Sequence, residues 1–135
     1  MALLKMGIVG TGGIARGRHI PAYVKQNDQV EIASVFDQNK DAAKATADEF
    51  KIPHVADAYE DLLKRVDAVT ICTPNIFHAE LAKQALEAGV HVLCEKPMAT
   101  HAEDCELMVE AAKKSGKILM IGYHYRFHRE SLAAK

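Results

Sequence analysis

An excess of charge of one sign is what the sequence most plainly lacks: 17 Lys and Arg against 18 Asp and Glu leave a formal net charge of −1, with no basic stripe. Nucleic acid is therefore not an expected partner, because phosphate binding needs clustered Lys and Arg. No apolar run reaches the ~20 residues of a spanning helix, and Met1-Ala2-Leu3-Leu4-Lys5 is too short for a signal peptide. Neither a membrane nor a secretory route is expected, and the chain is predicted to be cytoplasmic. The three cysteines are odd in number, and Cys72, Cys94 and Cys105 sit within apolar segments rather than at paired spacings. That argues against a disulfide framework or a zinc site and predicts buried free thiols. Internal repeats and low-complexity linkers are also missing. What remains is a 135-residue chain, 49% hydrophobic, which fits one domain of ordinary size.

The informative stretch runs from Lys5 to Ala15. An apolar run (Met6, Ile8, Val9) passes into Gly10-Thr11-Gly12-Gly13-Ile14-Ala15 and then into a helix-compatible segment, the strand, turn and helix order of a dinucleotide-binding loop. Gly10 permits the tight turn, Gly12 lets the backbone approach a pyrophosphate, and Ala15 keeps the helix close to the sheet. The phosphates would sit on the unpaired N–H groups of the helix N-terminus. A plain glycine loop between packed elements is the alternative that the strand-to-helix context disfavours.

Further along, the first helix should begin near Gly12 and end, kink or restart at Pro21. Val30 to Phe36 is β-rich and ends on Asp37, about twenty residues past the loop, as the dinucleotide pattern requires. Asn39 is the expected N-cap of a helix to about Phe50, and Pro53 precedes a short strand near His54-Val55. Asp57 with Glu60 reads as a capping arrangement for a helix with Tyr59, Leu62, Leu63 and Val66 on one face. Asp67 to Cys72 has the near-continuous apolar character of a parallel strand covered on both faces, and Thr73-Pro74-Asn75 breaks it. Phe77, Leu81 and Ala85 mark one face of the next helix, with Gly89 as its C′ residue. Val90 to Cys94 is another buried strand, ending in Glu95-Lys96-Pro97. Thr100 and Glu103 read as a capping box over a stripe of Cys105, Met108, Val109 and Ala112, and Lys113, Lys114 and Gly116 close that helix. A last strand runs from Ile118 to about Tyr123.

Six strands alternating with helices specify an α/β fold of three layers, a doubly wound parallel sheet of Rossmann type with the expected order 3-2-1-4-5-6. Ligands of such sheets bind beyond the carboxyl ends of the strands where the order reverses, and Gly10, Asp37, Thr73 to Asn75 and Glu95 to Pro97 all fall at such ends.

Together, Gly10 to Ala15, Thr73-Pro74-Asn75 followed by His78, Ala88-Gly89 leading to Cys94-Glu95-Lys96-Pro97, and Arg126-Phe127 resemble the glucose-fructose oxidoreductase, inositol dehydrogenase and MocA family. The Glu-Lys-Pro at a strand end is the most specific of these elements. The resemblance implies a dinucleotide-binding domain over 1–123 and, in 124–135, the start of a crossover to a larger substrate domain that is absent here and that in the family usually carries a catalytic Asp and His. The chain therefore reads as a truncated member. The family's frequent proline after Arg126-Phe127 is replaced by Arg129.

At each position a role can be set out. Asp37 would accept hydrogen bonds from the adenosine ribose, and its carboxylate repels a 2′-phosphate, favouring NAD over NADP, although Lys40 lies close in sequence. Thr73, Pro74 and Asn75 would line the nicotinamide end. His78 is either near that ribose or a solvent-facing residue at a helix start. Glu95 would hold the nicotinamide ribose, and by resemblance Lys96 lies beside the reacting carbon, polarising a substrate oxygen or sharing a proton relay. Arg126 would meet cofactor or the missing domain. His124 and His128 imitate a helical metal pair but lie at a strand end with no third ligand, so no metal site is expected. The expected function is hydride transfer between a carbinol carbon of a sugar or polyol and NAD, in a homo-oligomer. The alternatives are a stand-alone dinucleotide-binding module or sensor, and a fragment that keeps the fold and binds nothing.

Overall fold

The apolar runs become parallel strands. In the computed structural model, which describes residues 2–123, they are β1 (Leu4–Val9), β2 (Val30–Phe36), β3 (Ala68–Ile71), β4 (His91–Cys94) and β5 (Leu119–Ile121). Between them come α1 (Ile20–Lys25), α2 (Lys40–Phe50), α3 (Tyr59–Leu63), α4 (His78–Glu87) and α5 (Ala102–Ser115). A π turn, Ala15–His19, leads into α1, and a 3-10 turn, Asn75–Phe77, leads into α4. The strands pair in the order β2-β1-β3-β4-β5, and every pairing is parallel.

Alternation along the strands divides the core between the two faces of the sheet. Val9, Val69, Ile71 and Val92 pack with Leu62, Ala82, Leu86 and Met108 of the helices α3, α4 and α5. Met6, Ile8, Val35 and Cys72 face the other way, onto Ala15, Ile20 and Ala47. Helices therefore lie on both faces, which is why β3 is buried at all four of its positions. At Gly7 any side chain would collide with α3, because an added Cβ would lie 2.7 Å from Leu62 Cδ2.

The expected count of six strands in the order 3-2-1-4-5-6 is corrected to five. The segment around His54-Val55 makes only one isolated parallel bridge, Val55 to Val35. The reason is a shortage of free backbone groups. The Ile52 N–H closes the end of α2 on the Ala47 carbonyl, and Pro53 has no N–H, so only the His54 carbonyl and the Ala56 N–H reach Val35, at 3.0 and 2.9 Å.

Of the helix signals, Asn39 caps α2 as expected, its Oδ1 accepting the Ala42 N–H at 3.0 Å. Gly116 ends α5 at φ +70, and Gly89 follows α4 at φ +81. The Asp57 and Thr100 caps do not form. Each helix starts one residue later than the cap required, with Ala58 and His101 at the N-cap positions and no side-chain cap at either. Asp57 instead lies 3.6 Å from Lys40 Nζ, and the Thr100 hydroxyl meets His101 Nδ1. Val109 does not join the buried stripe of α5, which runs through Met108 and Ala111. The helix after the glycine loop does not break at Pro21. It widens into the π turn, in which the Ile20 N–H reaches the Ala15 carbonyl, and continues with Pro21 in its first turn. The expected crossover in 124–135 lies outside the described residues.

Candidate functional site: the crevice at the strand ends

From β1 the chain adds β2 on one side and then crosses to add β3 on the other side of β1, so the order reverses between β1 and β3. A cleft of about 590 Å³ opens there, at the carboxyl ends, lined by residues that include Gly10, Thr11, Gly12, Asp37, Thr73 and Pro74. Residues from the ends of three strands are thus brought together.

Gly10 makes the opening. Its φ of +90 disfavours any side chain, and a Cβ there would lie 2.8 Å from both the carbonyl carbon and the oxygen of Cys72. Only a bare Cα lets β1 pass this close to β3. A Cβ on Gly12 or Gly13, by contrast, would meet nothing within 4 Å. At these positions the loop backbone faces open space, the cradle a pyrophosphate needs. Ala15 is fully buried against the sheet and Ile14 is exposed.

Asp37 is tied to the loop. Its Oδ2 accepts the backbone N–H and the hydroxyl of Thr11 at 2.8 and 2.7 Å, and its Oδ1 accepts the Asn39 N–H at 2.8 Å. A carboxylate has about four acceptor positions. Three are filled, leaving room for one further donor without rearrangement.

His78 is fully buried. Its Nδ1 lies 2.8 Å from the Pro97 carbonyl and its Nε2 lies 2.9 Å from the Thr73 carbonyl. A neutral ring donates to one of these carbonyls and an imidazolium to both. Either way the ring ties the loop after β3 to the loop after β4 and does not face solvent. Asn75 is exposed in the 3-10 turn.

Glu95 and Lys96 follow β4, one strand beyond the cleft, and neither lines it. The Lys96 side chain is exposed, while its backbone N–H donates to Glu95 Oε2 at 3.1 Å. The other oxygen, Oε1, accepts from His19 Nε2 at 2.6 Å, with both side chains largely buried. His19 carried no role in the sequence reading. The one available signal was its place four residues after Ala15 on the sheet-facing side of the helix. Of Phe77, Leu81 and Ala85, expected on one helix face, Ala85 is buried in the core, Leu81 packs against that core and also lines the cleft, and Phe77 lines the cleft and is 39% exposed. A helix period marks an inward face without saying whether protein or ligand covers it. Arg126, His124 and His128 lie outside the described residues.

Two other constellations have the look of chemistry. Cys72 borders the cleft, but burial above all, with the charge of Glu95 and the neighbouring Cys94 adding to it, pushes its thiol up to about 12. That thiol is not a nucleophile near neutral pH. Ser34, His54 and Asp61 form a relay, with Ser34 Oγ 2.8 Å from His54 Nδ1 and Asp61 Oδ2 3.4 Å from His54 Nε2. Ser34 is fully buried, so no substrate reaches it. The relay pins the bridge segment between β2 and α3. Among the described residues no group of His, Cys, Asp and Glu could hold a metal ion, and no helix is long and apolar enough to cross a membrane.

Residues 4–123 match the oxidoreductase family described as having an NAD-binding Rossmann fold. D-glucoside 3-dehydrogenase of Escherichia coli (strain K12) is 39% identical over 126 residues, which are 92% of this chain and 36% of that protein. Inositol 2-dehydrogenase of Salmonella typhimurium is 37% identical over 130 residues, 93% of this chain and 38% of that protein. Among solved structures, the 3-ketoreductase KijD10 from Actinomadura kijaniata, in complex with NADP and TDP-benzene, superposes with a TM-score of 0.89 at 30% identity, covering 98% of this chain and 41% of that one. The chain thus spans little more than a third of the curated relatives it matches.

Proposed function

The chain belongs to this oxidoreductase family with an NAD-binding Rossmann fold, and from that premise we propose that it is the cofactor-binding domain of an NAD-dependent dehydrogenase acting on a CH–OH group of a sugar or polyol. The observation that carries the reading is the pairing of Asp37 with Thr11 across the mouth of the cleft. It holds a carboxylate where the adenosine ribose of a dinucleotide would lie, beside a loop whose Gly12 leaves open space. A 2′-phosphate brought to this carboxylate meets like charge, which supports NAD over NADP. The names of the relatives support the substrate class.

The nicotinamide ring, when bound, supplies the carbon that takes or gives the hydride. The protein's part is binding and orientation. The loop amides at Gly12 and Gly13 would meet phosphate oxygens, and the fourth acceptor position of Asp37 would take one ribose hydroxyl. Phe77 and Leu81, which line the cleft with Pro74, would exclude water from the bound dinucleotide. Glu95 would hold the second ribose, and the Lys96 ammonium would polarise the substrate oxygen, lowering the cost of charge developing there. The general base belongs to a second domain.

Titration calorimetry with NAD and NADP tests the assignment, and equal or tighter NADP binding refutes it. Incubation with NAD and a panel of inositols and sugars, followed by NADH absorbance, should show no useful turnover. Orientation of a substrate is worth roughly 7–11 kcal/mol of barrier, and Lys96 alone does not orient a polyol. Turnover of around 1–10³ per second would show that the catalytic set is complete within these residues.

A further inference from the structure

The turn of helix after the glycine loop is irregular. Between Ala15 and His19 it is a π turn, with the Ile20 N–H bonded to the carbonyl five residues back and Pro21 immediately following. Pro21 accounts for some widening, since its ring would crowd the Gly17 carbonyl in a regular helix. Such turns are frequent at functional sites. His19 is the last residue of this one.

Its Nε2–H donates to Glu95 Oε1 at 2.6 Å, with the two side chains 16% and 15% exposed. The carboxylate is enclosed from two further directions. Oε2 accepts the Lys96 backbone N–H at 3.1 Å, and a Cβ on Gly122 would come within 3.3 Å of Oε1. A hydrogen bond to an ionised acceptor in so sheltered a place is stronger than a surface ion pair.

We propose that His19 is a positioning residue: its ring fixes the Glu95 carboxylate and, through it, the backbone of Lys96, so that the helix meeting the pyrophosphate also aims the nicotinamide-side residues. The inference rests on the dinucleotide reading above. It separates the two halves of the cofactor. The adenosine half depends on Gly10, Gly12 and Asp37, none of which touches His19 through a hydrogen bond, whereas the nicotinamide half depends on the His19, Glu95 and Lys96 chain.

The experiment measures NADH and ADP affinities of the 135-residue chain as wild type, His19→Ala, His19→Gln and His19→Asn, with the Lys96 amide resonance followed in ¹H–¹⁵N spectra. Loss of one charge-assisted hydrogen bond should weaken NADH binding about tenfold in His19→Ala, with ADP unchanged within about twofold. His19→Gln, whose amide can still donate to Glu95, should restore NADH affinity and the Lys96 resonance. His19→Asn, too short to reach, should behave as His19→Ala does. The inference is overturned if His19→Ala binds NADH as wild type does, if ADP weakens in step with NADH, or if His19→Gln and His19→Asn are indistinguishable. A wild type that binds neither ligand overturns the cofactor reading and this inference with it, whereas normal wild-type binding with an indifferent His19→Ala overturns this inference alone.

Discussion

One methyl group added at Gly10 and one added at Gly12 should have opposite consequences. In Gly10→Ala the new Cβ is driven to 2.8 Å from the Cys72 carbonyl group and 3.0 Å from the Thr73 nitrogen, all backbone atoms of the adjoining strand end. These cannot swing aside as a side chain can. The φ of +90 adds strain, worth about 1–2 kcal/mol for an L-residue on the left-handed side, and overpacking adds about 1–3 kcal/mol. The sum, about 2–5 kcal/mol, is a large share of the 5–15 kcal/mol typical of a domain. With a urea dependence of about 1–3 kcal/mol per molar, the unfolding midpoint should fall by roughly 2 M. Gly12→Ala meets nothing within 4 Å, so its stability should stay within about 0.5 kcal/mol of wild type. Its Cβ enters the space assigned to pyrophosphate, and loss of one phosphate hydrogen bond at about 1.5–3 kcal/mol should weaken NAD binding at least about tenfold. Urea titrations followed by circular dichroism, paired with NAD calorimetry, read both effects. An unshifted midpoint for Gly10→Ala, or unchanged NAD affinity for Gly12→Ala, would refute the division of labour argued for this loop.

Asp37→Ala should narrow the preference for NAD over NADP by about 1–3 kcal/mol, the scale of a charged hydrogen bond, and calorimetry with both cofactors checks it. Alkali should destabilise the fold through its buried thiols. Burial first, then the charge of Glu95, raises Cys94 to about 12 from an ordinary 9.0, and Cys72 is raised as far. The folded state keeps protons that the unfolded chain releases, so this stability is complete below pH 9 and is lost as pH rises from about 9 toward 12. The decline is at most about 1.4 kcal/mol per pH unit for each thiol. Urea midpoints from pH 8 to 11 should fall, and fall less steeply in the Cys72→Ala, Cys94→Ala double variant. Self-association is expected through β5, where Ile118, Met120 and Tyr123 are exposed and Met120 stands beside Leu93 on the face opposite α5. Light scattering showing a clean monomer at high concentration would count against this, as would dimers unaffected by Met120→Lys.

Features decided within a few residues of chain were legible in the sequence. Asn39 caps α2 because its side chain reaches an amide three residues on, Gly116 ends α5 because it tolerates a positive φ, and the apolar run through Val69 and Ile71 requires helices on both faces of the sheet. Gly10, Asp37 and Thr73 were recognisable as strand-end residues for the same local reason, each sitting where an apolar run stops. The number of strands was not legible, because whether His54-Val55 pairs depends on which amides α2 and Pro53 leave over beside Val35. Nor was the use of Phe77 and Leu81, which line the cleft although Ala85 on the same face is buried in the core. The ties that organise the site join Thr11 to Asp37, His78 to Pro97 and His19 to Glu95. They join helix starts and strand ends that lie far apart in sequence. Local propensity says nothing of such contacts, since a hydrogen bond across the sheet exists only once strand order and helix register have brought donor and acceptor within three ångströms.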